Sequence, residues 1–141
     1  MIKIIPDNKM WPGTWPSRIL AAIWASPILL VGIVGALLFR IVQPASRLRM
    51  RGGAIEVLAA GPFARWMWRN DWGAFTLGCS IWLWSKDDAE SERLYYHERR
   101  HLTHCLALGI FIVPVFLLCL IWLGYEDGIL EVDARAHEPP S

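Results

Sequence analysis

The chain has 141 residues, enough for one small domain. Hydrophobic residues make up 55%, charged residues 19%, and mean hydropathy is +0.33, which excludes an ordinary soluble domain and points to a membrane protein. A formal net charge of +1 gives no reason to expect bulk nucleic-acid binding.

Residues 1–16 form a polar lead containing Pro and Trp. Ile19 to Phe39 then carries no charge between Arg18 and Arg40. At 1.5 Å per residue the run spans about 30 Å, the thickness of a bilayer core, so residues 17–43 are predicted to be a transmembrane helix. A signal peptide is disfavoured, because the run is long, starts late and ends without a small-x-small cleavage site. Gly32 and Gly35 would let another helix approach closely. Arg40, Arg47, Arg49 and Arg51 follow the span, against Lys3, Lys9 and Arg18 before it, which places the following segment on the cytoplasmic side. Trp11, Trp15, Trp66, Trp68, Trp72, Trp82, Trp84 and Trp122 lie near the ends of apolar runs, as interfacial anchors do, while Trp24 lies inside a span.

Residues 54–59 read as a short strand between Gly52-Gly53 and Gly61-Pro62. Trp72 to Trp84 has a β-type composition, with Gly78 marking a bulge or a close backbone approach. Two or three strands are expected here, in a small antiparallel sheet. Ser85 to Glu90 offers cap residues and acids for a helix start. A helix from about Asp88 should end near Gly109, and Pro114 suits the start of a second helix. Cys79, Cys105 and Cys119 are odd in number and widely spaced, as buried hydrophobes are, and no C-x-x-C occurs.

Within the first of these helices, His97-Glu98-Arg99-Arg100-His101 reads H-E-x-x-H. At i and i+4 both imidazoles leave one helix face and can share a metal ion, while Glu98 can take a proton from a metal-bound water. Random placement gives roughly one such motif per 180 chains of this composition, so context must supply a third ligand. The plain alternative is a charged helix end that solvates a membrane helix.

Context sets up a conflict. Leu102 to Gly124 is 23 residues without a charge, which on hydropathy alone is a second span. The acids that follow, Glu126, Asp127, Glu131 and Asp133, would then lie roughly 30 Å from the two His. Gly109 and Pro114 favour a hairpin over residues 102–124 instead, embedded in the membrane or lying at its surface. Asp127 could then cap a C-terminal helix that turns Glu131 back toward His97 and His101. His104, at i+7 from His97, reads as an outer hydrogen-bond partner or a polar residue facing a cavity rather than a ligand. Tyr95, Tyr96 and Tyr125 are candidates to polarise a carbonyl, and equally interfacial tyrosines. Arg135 is placed to pair with Glu131 at i+4, and Arg99 and Arg100 to reach headgroups or solvent.

The ordered series Trp72-Gly73-Ala74-Phe75-Thr76-Leu77-Gly78, His97-Glu98-Arg99-Arg100-His101, Leu108-Gly109 with Pro114, and Glu131-Val132-Asp133-Ala134-Arg135 resembles a group of small bacterial zincin-like membrane proteins of unassigned function. The resemblance covers residues 52–138 and leaves the first span outside. It implies a minimal gluzincin-like α+β domain in the bacterial inner membrane, with zinc on His97, His101 and Glu131 and with Glu98 as the base. One departure stands out, His104 where the group has Gln. A metzincin is excluded by His104 and Ala107, and Arg135 breaks a thermolysin-like E-x-x-x-D.

Two functional expectations result. One is a membrane-associated zinc metallopeptidase acting on a peptide substrate, with His104, Tyr125 and Arg135 around the metal or the substrate. The other is a structural or accessory subunit of a larger membrane assembly, in which the metal is a clamp without turnover. A third reading has no metal and two plain spans. The expected partner in every case is the lipid bilayer.

Overall fold

A computed structural model describes residues 14–70 and 72–139; the start of the polar lead, with Trp11 and its lysines, lies outside them. The chain forms α1 (Trp15–Val42), β1 (Arg47–Arg51), β2 (Ala54–Leu58), α2 (Gly61–Arg69), β3 (Ala74–Leu77), β4 (Ser80–Leu83), α3 (Lys86–Glu90), α4 (Glu92–Leu108), a 3-10 turn at Gly109–Phe111, α5 (Ile112–Leu123) and α6 (Ile129–Ala136). The class is α+β, as expected.

The sheet differs from expectation. Its order is β1-β2-β4-β3, and it is mixed rather than antiparallel, because β2 and β4 run parallel. A parallel pair needs a crossover, and residues 59–79 supply it through α2 and β3. The Gly61-Pro62 pair closes β2 and also opens α2, with Pro in the first turn. Phe63 and Met67 turn inward at i and i+4, where Phe63 packs edge-on against Phe39 and Trp82. The sheet also begins at Arg47, ahead of the Gly52-Gly53 turn that was expected to open it.

Helix α1 is not a free-standing anchor. A methyl at Gly32 would sit 2.3 Å from the Leu77 carbonyl, and one at Gly78 would sit 2.1 Å from the Ile28 carbonyl. The β3–β4 turn therefore lies backbone to backbone on α1, so the glycines admit a sheet turn and not another helix. Toward its N-terminus α1 meets the other helices: Trp24 Nε1 donates to the Ala107 carbonyl at 3.2 Å, and its ring stacks on Phe111. Ala25, Ile28, Ile81, Leu83, Leu102 and Leu106 form the main core between α1, the sheet and α4.

The stretches Trp15–Val42 and Glu92–Leu123 are each long and apolar enough to cross a membrane. The second is not one straight rod. Helix α4 ends at Gly109, whose φ of +56° is a conformation other residues avoid, and α5 restarts at Ile112. Straight helix would put Cys119 about 27 Å from His101. Gly128, three residues before Glu131, instead lies against Cys119, and Glu131 touches His101. Helix α5 has no buried residue, and Ile121 and Trp122 are 73% and 80% exposed. Such a continuous apolar surface is larger than soluble monomers ordinarily expose.

Candidate metal centre

The H-E-x-x-H residues occupy the second and third turns of α4. That helix starts at Ser91, whose hydroxyl accepts from the Leu94 amide; Ser85 caps the separate short helix α3 in the same way. The predicted single helix from Asp88 is therefore two, broken at Ser91. His97 and His101 project from one face, their Nε2 atoms 3.2 Å apart. Helix α6 lies across them and brings Glu131, which straddles the pair: Oε2 is 3.3 Å from His97 Nε2 and Oε1 is 3.2 Å from His101 Nε2. Its N-cap is Gly128 rather than Asp127.

Among the described residues, His97, His101 and Glu131 are the group able to hold a metal ion. The two ring nitrogens lie 3.2 Å apart and each meets one Glu131 oxygen at 3.2–3.3 Å, close enough for the three side chains to share one ion. The chemistry agrees too, since two imidazoles and a carboxylate are a common set at catalytic zinc. The bend at Gly109 makes the arrangement possible by returning the tail to the His face.

Around the three lie further polar groups. Glu98 is buried at 4% exposure, and the Thr76 hydroxyl lies 2.8 Å from its Oε2 and 3.0 Å from its main-chain carbonyl, donating between them. Thr76 thus ties edge strand β3 to the motif helix. Glu98 is also near enough to feel the charges of His101, His97 and Glu131. On the outer side of His97, Nδ1 is 2.9 Å from Glu138 Oε1, and Arg93 pairs with the other oxygen of Glu138. His104 Nε2 meets Asp133 at 2.7 Å, and Asp133 also pairs with Arg100. Nδ1 of His104 is buried without a hydrogen-bond partner, and His104 is outside the group of three that converges.

Electrostatics follow from these contacts. Burial works to raise the Glu131 carboxyl, but hydrogen bonds from His101 and His97 prevail and hold it at about 2. Asp133 is held at about 2, mainly by the Arg100 bond. Burial also works on Glu138, but Arg93 and His97 keep it below the usual carboxylate range. Partial burial and the neighbouring Glu131 carboxylate push the Tyr125 phenol well up.

Several sequence expectations require correction. Arg135 does not pair with Glu131; it donates to the Glu126 carbonyl. Arg99 is buried at 6% exposure rather than facing headgroups or solvent, and Arg100 is committed to Asp133. Tyr95 is buried beneath the Arg51 guanidinium, 3.8 Å from its ring centre, with its hydroxyl beside Gly52. Arg51 and Arg49 flank the fully buried Glu56. Sequence reasoning gave no role to Thr76, Glu138, Arg93 or Glu56. Thr76 stood inside a quoted motif, and Glu138 carried no signal beyond being a late carboxylate.

No family model, curated protein or solved structure matches the chain.

Proposed function

We propose that the chain is a membrane-associated zinc-binding protein and a minimal, zincin-like metallopeptidase. The observation that carries this reading is the convergence of His97, His101 and Glu131, with each imidazole Nε2 3.2–3.3 Å from the other and from one Glu131 oxygen, beside a buried, oriented Glu98. Zinc held by His97, His101 and Glu131 would polarise a peptide carbonyl and bring the pKa of water at the centre to about 7. Glu98, with Oε2 steadied by Thr76, takes the proton of the attacking water and passes it to the leaving amine. Edge strand β3 carries Thr76, so an extended peptide added along it would run past Glu98. Lipid is the medium that suits the exposed faces of α1 and α5.

The test is metal content in detergent-purified protein, beside peptide cleavage by Glu98→Gln. The expected result is one zinc per chain in both and cleavage only in the wild type. Cleavage undiminished by Glu98→Gln would refute the base role. One observation favours a second reading, a structural clamp: the ligand side chains are only 13%, 17% and 6% exposed. A closed fourth coordination position and no cleavage of any peptide would favour the clamp.

A further inference from the structure

Glu138 lies beyond the end of α6, and Oε1 sits 2.9 Å from Nδ1 of His97. An ionised carboxylate only accepts hydrogen bonds, so the ring proton must be on Nδ1. A neutral imidazole in that tautomer has its lone pair on Nε2. This is the atom that faces His101 Nε2 at 3.2 Å and Glu131 at 3.3 Å. Without a metal, a second proton on Nε2 lets the ring donate to Glu131 as well; with a metal bound, the Nε2 lone pair is what the ion would take, while Nδ1–H stays on Glu138. Glu138 cannot be a ligand of that ion, because Nδ1 and Nε2 lie on opposite flanks of the ring.

We propose that Glu138 is the positioning residue of the metal centre: it fixes the tautomer and rotation of His97 so that Nε2 is presented to the ion. The inference rests on the metal reading above. Arg93 completes the device. It stands one turn before His97 on α4, and its guanidinium grips the second oxygen of Glu138, so the carboxylate bridges two residues of one helix face. A residue that orients a ligand in this way raises metal affinity without touching the metal.

The test is the zinc dissociation constant of the full chain in detergent, measured by chelator competition for wild type, Glu138→Ala, Glu138→Gln and His97→Ala, with melting of each metal-free protein alongside. Glu138→Ala should weaken binding about 10–100-fold. Glu138→Gln keeps a carbonyl acceptor for Nδ1–H and should recover most of that loss, while metal-free melting stays close to wild type. Wild-type affinity in Glu138→Ala overturns the proposal. So does a Gln variant no better than Ala, or a loss matched by collapse of the metal-free fold. If wild type takes up no zinc, or His97→Ala binds as well as wild type, the metal reading falls and this inference falls with it. Loss in His97→Ala with none in Glu138→Ala removes the Glu138 role alone.

Discussion

Replacing Glu131 with Gln keeps the side chain's size and removes its charge. In the metal-free protein the carboxyl is held at about 2 against an ordinary 4.5, with burial opposing and the His101 and His97 bonds prevailing. That drop of about 2.5, at about 1.36 kcal/mol per unit, gives an upper bound on the order of 3 kcal/mol. Because the folded value is depressed, the stabilisation is complete above pH 4.5 and drains away as pH falls toward about 2. Chelator-treated wild type at pH 7 should therefore melt on the order of 10 °C above chelator-treated Glu131→Gln. The gap should narrow steadily on acidification and close near pH 2. Zinc content measured on the same preparations should be one per chain in wild type and near zero in the variant. Equal melting of the two metal-free proteins at pH 7, with zinc undiminished in the variant, would refute the reasoning.

Thr76→Val preserves the β-branched shape and removes the hydroxyl on Glu98 Oε2, so stability should fall by about 1–3 kcal/mol in denaturant titration with zinc content intact. Gly78→Ala forces a methyl into the Ile28 carbonyl and should lower the melting temperature far more than Gly124→Ala, which has a similar positive φ but open space around it. Similar losses in the two would show that the α1 contact contributes little. Leu118→Asp on the outer face of α5 puts a charge where lipid is expected, at a cost of about 2.5–3.5 kcal/mol if the site is deep in the membrane. Alkaline extraction of membranes should release this variant more readily than wild type, and equal retention would argue against lipid contact at α5.

Legibility from sequence followed the strength of the local signal. An uncharged run of 21 residues admits little but a helix, and α1 is one. The Gly109 and Pro114 pair marked a break inside an apolar stretch that hydropathy alone would read straight through, and it was this break that allowed Glu131 to be placed with the two His. Helix α2 was missed because nine residues carrying three aromatics have weak intrinsic helical preference, and its inward face shows only once Phe39 and Trp82 are in place. The parallel pairing of β2 and β4 depends on that helix, so it was missed for the same cause. Strand β1 reads Arg-Leu-Arg-Met-Arg, and its charges looked like membrane flank; two of them are engaged with buried Glu56, a pairing that shows only once the Gly52-Gly53 hairpin sets Arg49 opposite Glu56. The partners of His97 and His104 come from 41 and 29 residues away, beyond the reach of any spacing rule.

The seating of the β3–β4 turn on α1 binds two distant parts of the gene to one another. At Gly32 and Gly78 each backbone occupies the room that a side chain on the other would need. A side chain at either position requires the opposing main chain to withdraw, so neither site accepts one while the helix and the turn stay in contact. The same contact makes the first helix indivisible from the rest. A version trimmed of α1 would leave the β3–β4 turn without its floor, and with it the strand that holds Thr76 against Glu98.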